Sequence, residues 1–201
     1  MFNLNPNQLG RITYPYVYWD NFFTKEDLDK IETYFDNKGV TEAEVINEDG
    51  TPLVRDIRKS KTNLIFVDNE NEWIFQKLAS ISKFINDKFY GYDIFGFDQV
   101  QYTVYEQGDH YDYHIDMMLG DKVPDHMHFS RKLSFSLILT DDVDFQGGEF
   151  EIMVDSDSPI KAEQKRGRIL AFPSFIVHRV KPVTSGVRKS IVFWTLGPKF
   201  K

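Results

Sequence analysis

Beyond residue 95 the sequence is a succession of short runs rich in Val, Ile, Phe, Tyr and Thr, separated by turn residues. The runs are DQVQYTVY, KLSFSLILT, GGEFEIMV, GRILAFPS, FIVHRVKPV and RKSIVFWTL. Residues of these types favour the pleated, half-buried surface of a β-sheet. The second part of the chain, about 96–201, is therefore predicted to be an antiparallel sandwich or small barrel.

A capping signature begins the first of two helical patterns in the earlier part of the chain. Thr24 stands three residues before Asp27, the spacing at which each side chain can bond the backbone N–H of the other residue. The apolar spacing that follows predicts a helix over 25–37. Its buried face should carry Leu28, Ile31 and Phe35.

Asn71 begins a second pattern, in which apolar residues recur at helical spacing until Gly91. The buried positions of this helix should be Ile74, Leu78, Ile81 and Ile85. The intervening stretch 41–60 is polar and contains Gly and Pro, which predicts a loop or an irregular hairpin. With helices early and strands late, the expected class is α+β, with the helices packed on one face of a sheet.

Length, charge and composition limit the kinds of partner and the location that we expect for the chain. Its 201 residues fit a single domain, with a helical part over about 1–95. The net charge of −7 and the lack of a Lys/Arg-rich run argue against binding to nucleic acid. No apolar stretch is long enough for a membrane span, and the N-terminus lacks a signal-peptide pattern. We therefore expect a cytoplasmic protein, and because it has no Cys, any metal must be bound by nitrogen and oxygen.

The stretch HYDYHID, 110–116, concentrates two histidines and two aspartates in an aromatic context. At the end of a strand, His114 and Asp116 would project from the same face about 6–7 Å apart, so that an imidazole and a carboxylate could bind one ion. Alone, this H-x-D pattern is weak evidence, because it is also common in surface turns. A metal site needs a third ligand from another strand.

His178 is the best candidate for that ligand, because it lies in an apolar strand where an unpaired imidazole is costly to bury. His126 and His128 lie in a polar stretch and are expected to be exposed, and His110 is expected to be a neighbour of the site. Two histidines and one carboxylate on one face of a metal are typical of non-haem Fe(II) oxygenases, whereas zinc more often takes a tetrahedral set.

A basic residue follows the third ligand by ten positions. Arg188 opens the strand RKSIVFW, and strict alternation puts Ser190 on the same face. An arginine that points into a barrel is costly without a partner, and its guanidinium matches a carboxylate in bidentate fashion. The alternative is a surface arginine paired with one of the many acidic side chains.

These residues lie within four longer segments, YEQGDHYDYHID, GGEFEI, KRGRILAFPS and VHRVKPVTSGVRKSIVFW. Over roughly 97–198 the sequence resembles the 2-oxoglutarate/Fe(II)-dependent dioxygenases, in the prolyl 4-hydroxylase-like group and close to its PKHD-type branch. The resemblance implies a double-stranded β-helix, or jelly-roll, core with the metal at its mouth. It also implies Fe(II) as the metal, 2-oxoglutarate as co-substrate and O2 as oxidant, with ascorbate as a candidate reductant.

The resemblance assigns a role to each of the site residues. The Fe(II) ligands would be His114, Asp116 and His178. Arg188 would hold the distal carboxylate of 2-oxoglutarate, Ser190 would complete an R-x-S arrangement, and Tyr105 would line the co-substrate pocket. Collagen-type prolyl hydroxylases usually carry Lys where Arg188 stands, a change that preserves co-substrate binding but weakens the case for a prolyl substrate.

The implied reaction couples decarboxylation of 2-oxoglutarate to succinate with hydroxylation of a C–H bond. The expected substrate is a protein or peptide that contains proline. A free amino acid or other small metabolite is the alternative; a groove open at both ends would favour a peptide and a closed pocket a metabolite. A second alternative is a non-catalytic jelly-roll module that only binds a ligand. Such a module would have lost a metal ligand or the arginine for the co-substrate, whereas this sequence keeps all four residues: His114, Asp116, His178 and Arg188. The oligomeric state is left open.

Three further features adjoin the motif. Gly147 and Gly148 predict a turn with positive φ before a strand over 149–154. By alternation along its strand, Trp194 should point inward like Arg188 and Ser190, and we expect it in the core or against the substrate. The segment 117–130 is the longest break between strands and is expected to be mobile, either as a lid over the site or as a connector.

Overall fold

A computed structural model gives the fold of the chain. The residues that it describes are 14–43, 45–46, 52–53, 57–117, 129–155 and 158–199. The segment 117–130, expected to be a lid or a connector, falls almost entirely outside these ranges, as do His126 and His128. Within the described part of the chain, no helix combines the length and the apolar character needed to cross a bilayer.

Helix α1 spans Lys25–Lys38 and begins with the capping box that the sequence predicts. Thr24 Oγ1 accepts a hydrogen bond from the Asp27 N–H at 3.1 Å, and Asp27 Oδ2 accepts one from the Thr24 N–H at 2.9 Å. The predicted apolar face, Leu28, Ile31 and Phe35, is buried. Local signals therefore determine both where this helix begins and how it packs.

Helix α2 spans Glu72–Ile85 and continues as a π-helical turn over Asn86–Tyr90. Gly91 ends it in the left-handed conformation, with φ 68°, as expected for a glycine at this position. The four predicted apolar positions are buried: Ile74, Leu78, Ile81 and Ile85.

The larger sheet holds seven strands among the described residues: β1 (Val17–Trp19), β2 (Thr41–Glu42), β6 (Lys61–Ile65), β7 (Gly96–Tyr105), β9 (Phe129–Ile138), β13 (Ile169–Pro173) and β16 (Arg188–Pro198). Their order across the sheet is β1-β13-β9-β16-β7-β6-β2. All of its neighbouring strands are antiparallel. The three longest strands, β9, β16 and β7, lie side by side at the centre of this sheet.

The smaller sheet, which carries His114 and His178, consists of β5 (Arg58–Lys59), β8 (His110–His114), β11 (Phe150–Ile152), β12 (Ile160–Ala162) and β14 (His178–Val180) among the described residues. Their order across the sheet is β12-β11-β14-β8-β5. Two antiparallel pairs complete the described strands, β3 (Val45–Ile46) with β4 (Pro52–Leu53) and β10 (Phe145–Gly147) with β15 (Val183–Gly186).

Both helices pack on the larger sheet, as the α+β prediction required. One apolar cluster joins the helices to that sheet, and its members include Ile31, Phe35, Leu78, Ile81, Phe135 and Phe193. A second cluster joins the two sheets, and its members include Tyr105, Phe150, Ile152, Phe172 and Val180. The core is the predicted double-stranded β-helix.

The strand predictions differ from the structure in their bounds. FIVHRVKPV was expected to be one strand, but it forms β14 and β15 with a break at Pro182, which has no N–H to donate to a ladder. The strand expected over 149–154 is shorter, Phe150–Ile152. Within the polar stretch 41–60, the described residues include short strands, and β5 pairs with β8.

Candidate active site

Three side chains meet at one point. They come from β8, from the turn after β8, and from β14. His114 ends β8, Asp116 follows two residues later, and His178 begins β14 directly opposite His114. One ligand atom from each residue lies within 4.8 Å of the other two. Asp116 Oδ1 is 3.6 Å from His114 Nε2, and Asp116 Oδ2 is 3.6 Å from His178 Nε2. These separations leave room for an ion between the three groups.

The second nitrogen of each imidazole is fixed by a backbone carbonyl. His114 Nδ1 donates to the Asp112 carbonyl at 2.8 Å, and His178 Nδ1 donates to the Ile176 carbonyl at 2.9 Å. Because each Nδ1 carries the proton, each Nε2 presents its lone pair to the shared point. This is the tautomer that a metal-binding histidine needs.

The charge states suit metal binding. Burial, and then the neighbouring His178, lower the pKa of His114 to about 3, so that its imidazole is neutral near pH 7. Burial opposes ionisation of Asp116, but the two adjacent imidazoles hold its pKa below the ordinary value. The cluster therefore offers the neutral His114 imidazole and the Asp116 carboxylate, and His178 adds a second imidazole nitrogen, a set that favours a divalent metal.

Arg188 is buried deep in the same cavity, with 1% of its surface exposed. Its Nε donates to Gln164 Oε1 at 2.6 Å and its Nη1 to Ser190 Oγ at 3.2 Å. Burial lowers its pKa to about 10. Within the described part of the chain it has no carboxylate partner, so that a buried cation faces the cavity with its charge uncompensated.

A glycine turn makes room for this arginine. Gly147 and Gly148 have φ of 73° and 61°, as the turn prediction required. A Cβ at Gly148 would lie 3.1 Å from Arg188 Cδ and 3.0 Å from Val183 Cγ2. The Gly148 carbonyl also accepts from Gln164 Nε2 at 2.8 Å, so Gln164 links the turn to the arginine.

Tyr105 and Trp194 complete the inner wall. Tyr105 pairs with Arg188 across the β7–β16 ladder, and its ring centre lies 5.4 Å from the guanidinium carbon. Burial raises the pKa of Tyr105. Trp194 lines the cavity on the side of Arg188 and Ser190, as alternation along β16 predicts.

Three buried side-chain atoms have no hydrogen-bond partner within the described part of the chain. They are Asp116 Oδ2, Arg188 Nη2 and Trp194 Nε1. All three belong to residues that line one cavity of about 240 Å³. Unsatisfied buried polar atoms are rare in native proteins and call for a partner. A metal ion fits the carboxylate oxygen and an organic acid fits the guanidinium, so the residues present fit Fe(II) and 2-oxoglutarate.

The cavity also has residues that the sequence argument missed. Arg58, from β5, and Arg131, from β9, line it together with Gln101 and Thr103 of β7. Arg131 lies over the Trp194 ring at 3.9 Å and donates to the Asp116 carbonyl at 3.3 Å. Nothing in the local sequence marks these residues or Gln164, because each reaches the site through a contact distant in sequence.

The chain resembles known proteins in the same region. Residues 100–196 match the family model described as "2OG-Fe(II) oxygenase superfamily". A PKHD-type hydroxylase of Synechococcus sp. (strain CC9311) is 52% identical over 63 residues, which cover 31% of this chain and 28% of that protein. The chain spans less than half the length of the curated relatives it matches.

Two solved structures cover nearly the whole chain. A Pseudomonas putida prolyl-4-hydroxylase aligns with a TM-score of 0.69 at 17% identity, covering 93% of this chain and 95% of that one. A prolyl hydroxylase from Trichoplax adhaerens, in complex with a hypoxia inducible factor peptide fragment, aligns with a TM-score of 0.71 at 20% identity, covering 90% and 83%. At this identity the structures support the fold alone, and residues 100–196, just under half of the chain, are similar to the 2OG-Fe(II) oxygenase superfamily.

Proposed function

We propose that this protein is a 2-oxoglutarate- and Fe(II)-dependent hydroxylase whose substrate is a peptidyl proline. In this proposal His114, Asp116 and His178 bind Fe(II). Arg188 binds the distal carboxylate of 2-oxoglutarate, with Ser190 and Tyr105 beside it. The whole of 1–201 then serves as one catalytic domain.

One observation carries the proposal. The described residues of a single cavity leave a carboxylate oxygen of Asp116 and a guanidinium nitrogen of Arg188 buried and without partners. A ligand that satisfies both must combine a cation next to Asp116 with an anionic group next to Arg188. A divalent metal together with a dicarboxylic acid meets that requirement, whereas a metal alone leaves the arginine unpaired.

When bound, Fe(II) with 2-oxoglutarate and O2 supplies the chemistry that inserts one oxygen atom into a C–H bond, with succinate and carbon dioxide as co-products. The protein contributes geometry. The carbonyls of Asp112 and Ile176 hold the two imidazoles in one orientation, and the Gln164 side chain holds Arg188. No side chain has to act as a general acid or base, and ascorbate is a candidate reductant for maintaining Fe(II).

The cavity wall also restricts water. Phe135, Phe150 and Phe172 line it between the polar groups, and Tyr111 stacks on His114 with ring centres 3.5 Å apart. An apolar wall around a reactive centre keeps solvent from competing with the substrate. We assign these aromatic residues to that role.

Two considerations support a proline substrate. The aligned Pseudomonas putida and Trichoplax adhaerens structures are prolyl hydroxylases, and the second contains a peptide fragment. Proline also suits an extended peptide site, because its fixed φ lowers the entropy lost on binding. The second candidate substrate, a free amino acid or small metabolite, uses the same metal and co-substrate residues.

The test begins under nitrogen with the purified protein. We expect Fe(II) and 2-oxoglutarate together, and neither alone, to produce a visible charge-transfer band. After oxygen is admitted in the presence of a proline-rich peptide library, tandem mass spectrometry should find peptides heavier by one oxygen at proline, with an equal amount of succinate. Oxygen inserted only at other residues, or succinate formation stimulated only by a small metabolite, would reject the proline assignment and leave the hydroxylase standing. Absence of the band would reject the hydroxylase.

A further inference from the structure

Arg58 brings a second uncompensated cation to the cavity, separate from the one assigned to 2-oxoglutarate. It lies on the two-residue strand β5, which pairs with β8 so that Arg58 stands opposite Tyr111. Its Nε donates to Ser60 Oγ at 3.0 Å. Within the described part of the chain it forms no ion pair with a carboxylate, although 31 acidic residues outnumber 24 basic ones in the sequence.

A ring stack ties this cation to the metal ligands. The Arg58 guanidinium lies over the Tyr111 ring, 4.7 Å from its centre. Tyr111 in turn stacks on His114, with a 12° angle between the rings. Such a stack holds the guanidinium plane in one orientation and at a fixed distance from the metal centre. Arg58 is therefore a preorganised donor, unlike a mobile surface arginine.

The charges along the cavity make this cation significant. The described residues that line it include three arginines, Arg58, Arg131 and Arg188, against one carboxylate, Asp116. A divalent metal adds two positive charges, and the dianion of 2-oxoglutarate removes them. Arg131 already donates to a backbone carbonyl and lies over Trp194. Within the described part of the chain, Arg58 donates only through Nε, to Ser60, so its two terminal nitrogens are left without a partner there.

We infer that Arg58 determines substrate specificity by binding a carboxylate of the substrate close to the carbon that is hydroxylated. The inference rests on the proposed function and narrows its substrate class to anionic substrates. The carboxylate has two sources: an Asp or Glu side chain that flanks the target residue of a peptide, or the α-carboxylate of a free amino acid. Both present the planar pair of oxygens that a guanidinium binds in bidentate fashion.

The test uses matched pairs of ligands that differ by one carboxylate. The peptide arm consists of proline pentapeptides with an Asp at each flanking position, each paired with its Asn counterpart. The free arm is L-proline paired with L-prolinamide. Dissociation constants are measured under nitrogen on the full chain loaded with Fe(II) and 2-oxoglutarate, using intrinsic tryptophan fluorescence, so that no turnover is needed.

Arg58→Gln removes the charge and can keep the bond to Ser60, whereas Arg58→Lys keeps a charge without the planar fork. Lys59→Gln is the matched control, since it removes a positive charge from the adjacent position of β5, where the side chain is 63% exposed and paired with Asp109. The charge-transfer band with Fe(II) and 2-oxoglutarate is recorded for each variant, to verify that the metal and co-substrate sites are intact.

We expect the wild-type and Lys59→Gln proteins to bind at least one carboxylate ligand about tenfold more tightly than its amide counterpart. This ratio should fall to about one in Arg58→Gln and be partly restored in Arg58→Lys. A preference for Asp peptides assigns the side-chain source, and a preference for L-proline assigns the α-carboxylate. An equal ratio in wild type and Arg58→Gln, or no carboxylate preference in wild type, overturns the inference. Loss of the charge-transfer band in wild type would instead reject the proposed function.

Discussion

His178 lies directly opposite His114 in the ladder between β14 and β8, and the centres of the two imidazoles are 4.2 Å apart. The register of these two short strands therefore creates the candidate metal site. A slip of one residue would turn one imidazole to the other face of the sheet. Asp116, just past the end of β8, then needs only a turn to reach the same point.

Three residues are the proposed metal ligands: His114, Asp116 and His178. Replacement of any one of them should abolish iron binding. We expect His178→Ala and Asp116→Asn to purify with almost no iron and to show no 2-oxoglutarate turnover, because two remaining ligands hold an ion poorly. His110→Ala is the control, since His110 lies on the same strand but outside the cluster. Iron content, measured by atomic absorption after reconstitution with Fe(II), shows whether each residue is needed for metal binding. Full iron occupancy in His178→Ala would remove that residue from the site.

Arg188→Met should separate co-substrate binding from iron binding. Loss of the buried cation leaves a carboxylate of 2-oxoglutarate unpaired, which costs about 2–5 kcal/mol of binding free energy. Iron content should stay near that of wild type. The measurement is isothermal titration of 2-oxoglutarate into the Fe(II)-loaded protein under nitrogen.

The same variant tests whether Arg188 serves binding or stability. A buried guanidinium without a carboxylate partner destabilises the ligand-free fold, so the thermal midpoint of ligand-free Arg188→Met should not fall below that of wild type. A large fall in that midpoint, with unchanged affinity for 2-oxoglutarate, would make Arg188 a structural residue.

A salt bridge between Asp20 and Arg168, which do not line the cavity, should make stability depend on pH. Asp20 accepts two hydrogen bonds from Arg168, each 2.8 Å long, and these bonds lower the pKa of Asp20 below 3.8. Its stabilisation is therefore complete above about pH 3.8 and is lost as the pH falls through the pKa of the folded state. Asp20→Asn should lose about 1–2 kcal/mol of unfolding free energy at pH 7, and the difference should vanish in acid.

Urea denaturation of both proteins from pH 7 down to about pH 2, below the lowered pKa of Asp20, measures this difference. Glu26→Gln is the control, because Glu26 and Lys30 form an exposed pair on one helix. Exposed pairs of this kind contribute little, so the control should behave like wild type at every pH. A constant difference between Asp20→Asn and wild type across the range would contradict the assignment.

Patterns among residues close in sequence were sufficient to predict both helices and to place His114 and Asp116 near each other. The Thr24 capping box and the apolar periodicity around Leu78 involve neighbours in sequence, and both helices have the predicted buried faces. The spacing of His114 and Asp116 on one face of a strand is also local. The assignment of these residues and of Arg188 as ligands stays a prediction, as does the single-domain organisation.

Contacts between residues distant in sequence could not be predicted in this way. Gln164 lies 24 residues before Arg188 in a polar stretch, and only the folded chain brings its amide to the guanidinium. The pairing of Arg58 with Tyr111 depends on a two-residue strand with no alternation to detect. Whether 117–130 is a lid or a connector also stays open.

Gly148 offers a test of how closely the co-substrate pocket is packed. Gly148→Ala should strain the backbone at φ 61° and push a methyl group against Arg188 Cδ, 3.1 Å away. Gly39→Ala is the matched control, because Gly39 has a similar φ of 71° and its added Cβ would meet nothing within 4 Å. Both variants should lose about 1–3 kcal/mol of unfolding free energy from the unfavourable backbone conformation. Only Gly148→Ala should weaken 2-oxoglutarate binding, measured by the same titration, and equal affinity in the two variants would show that the turn does not position Arg188.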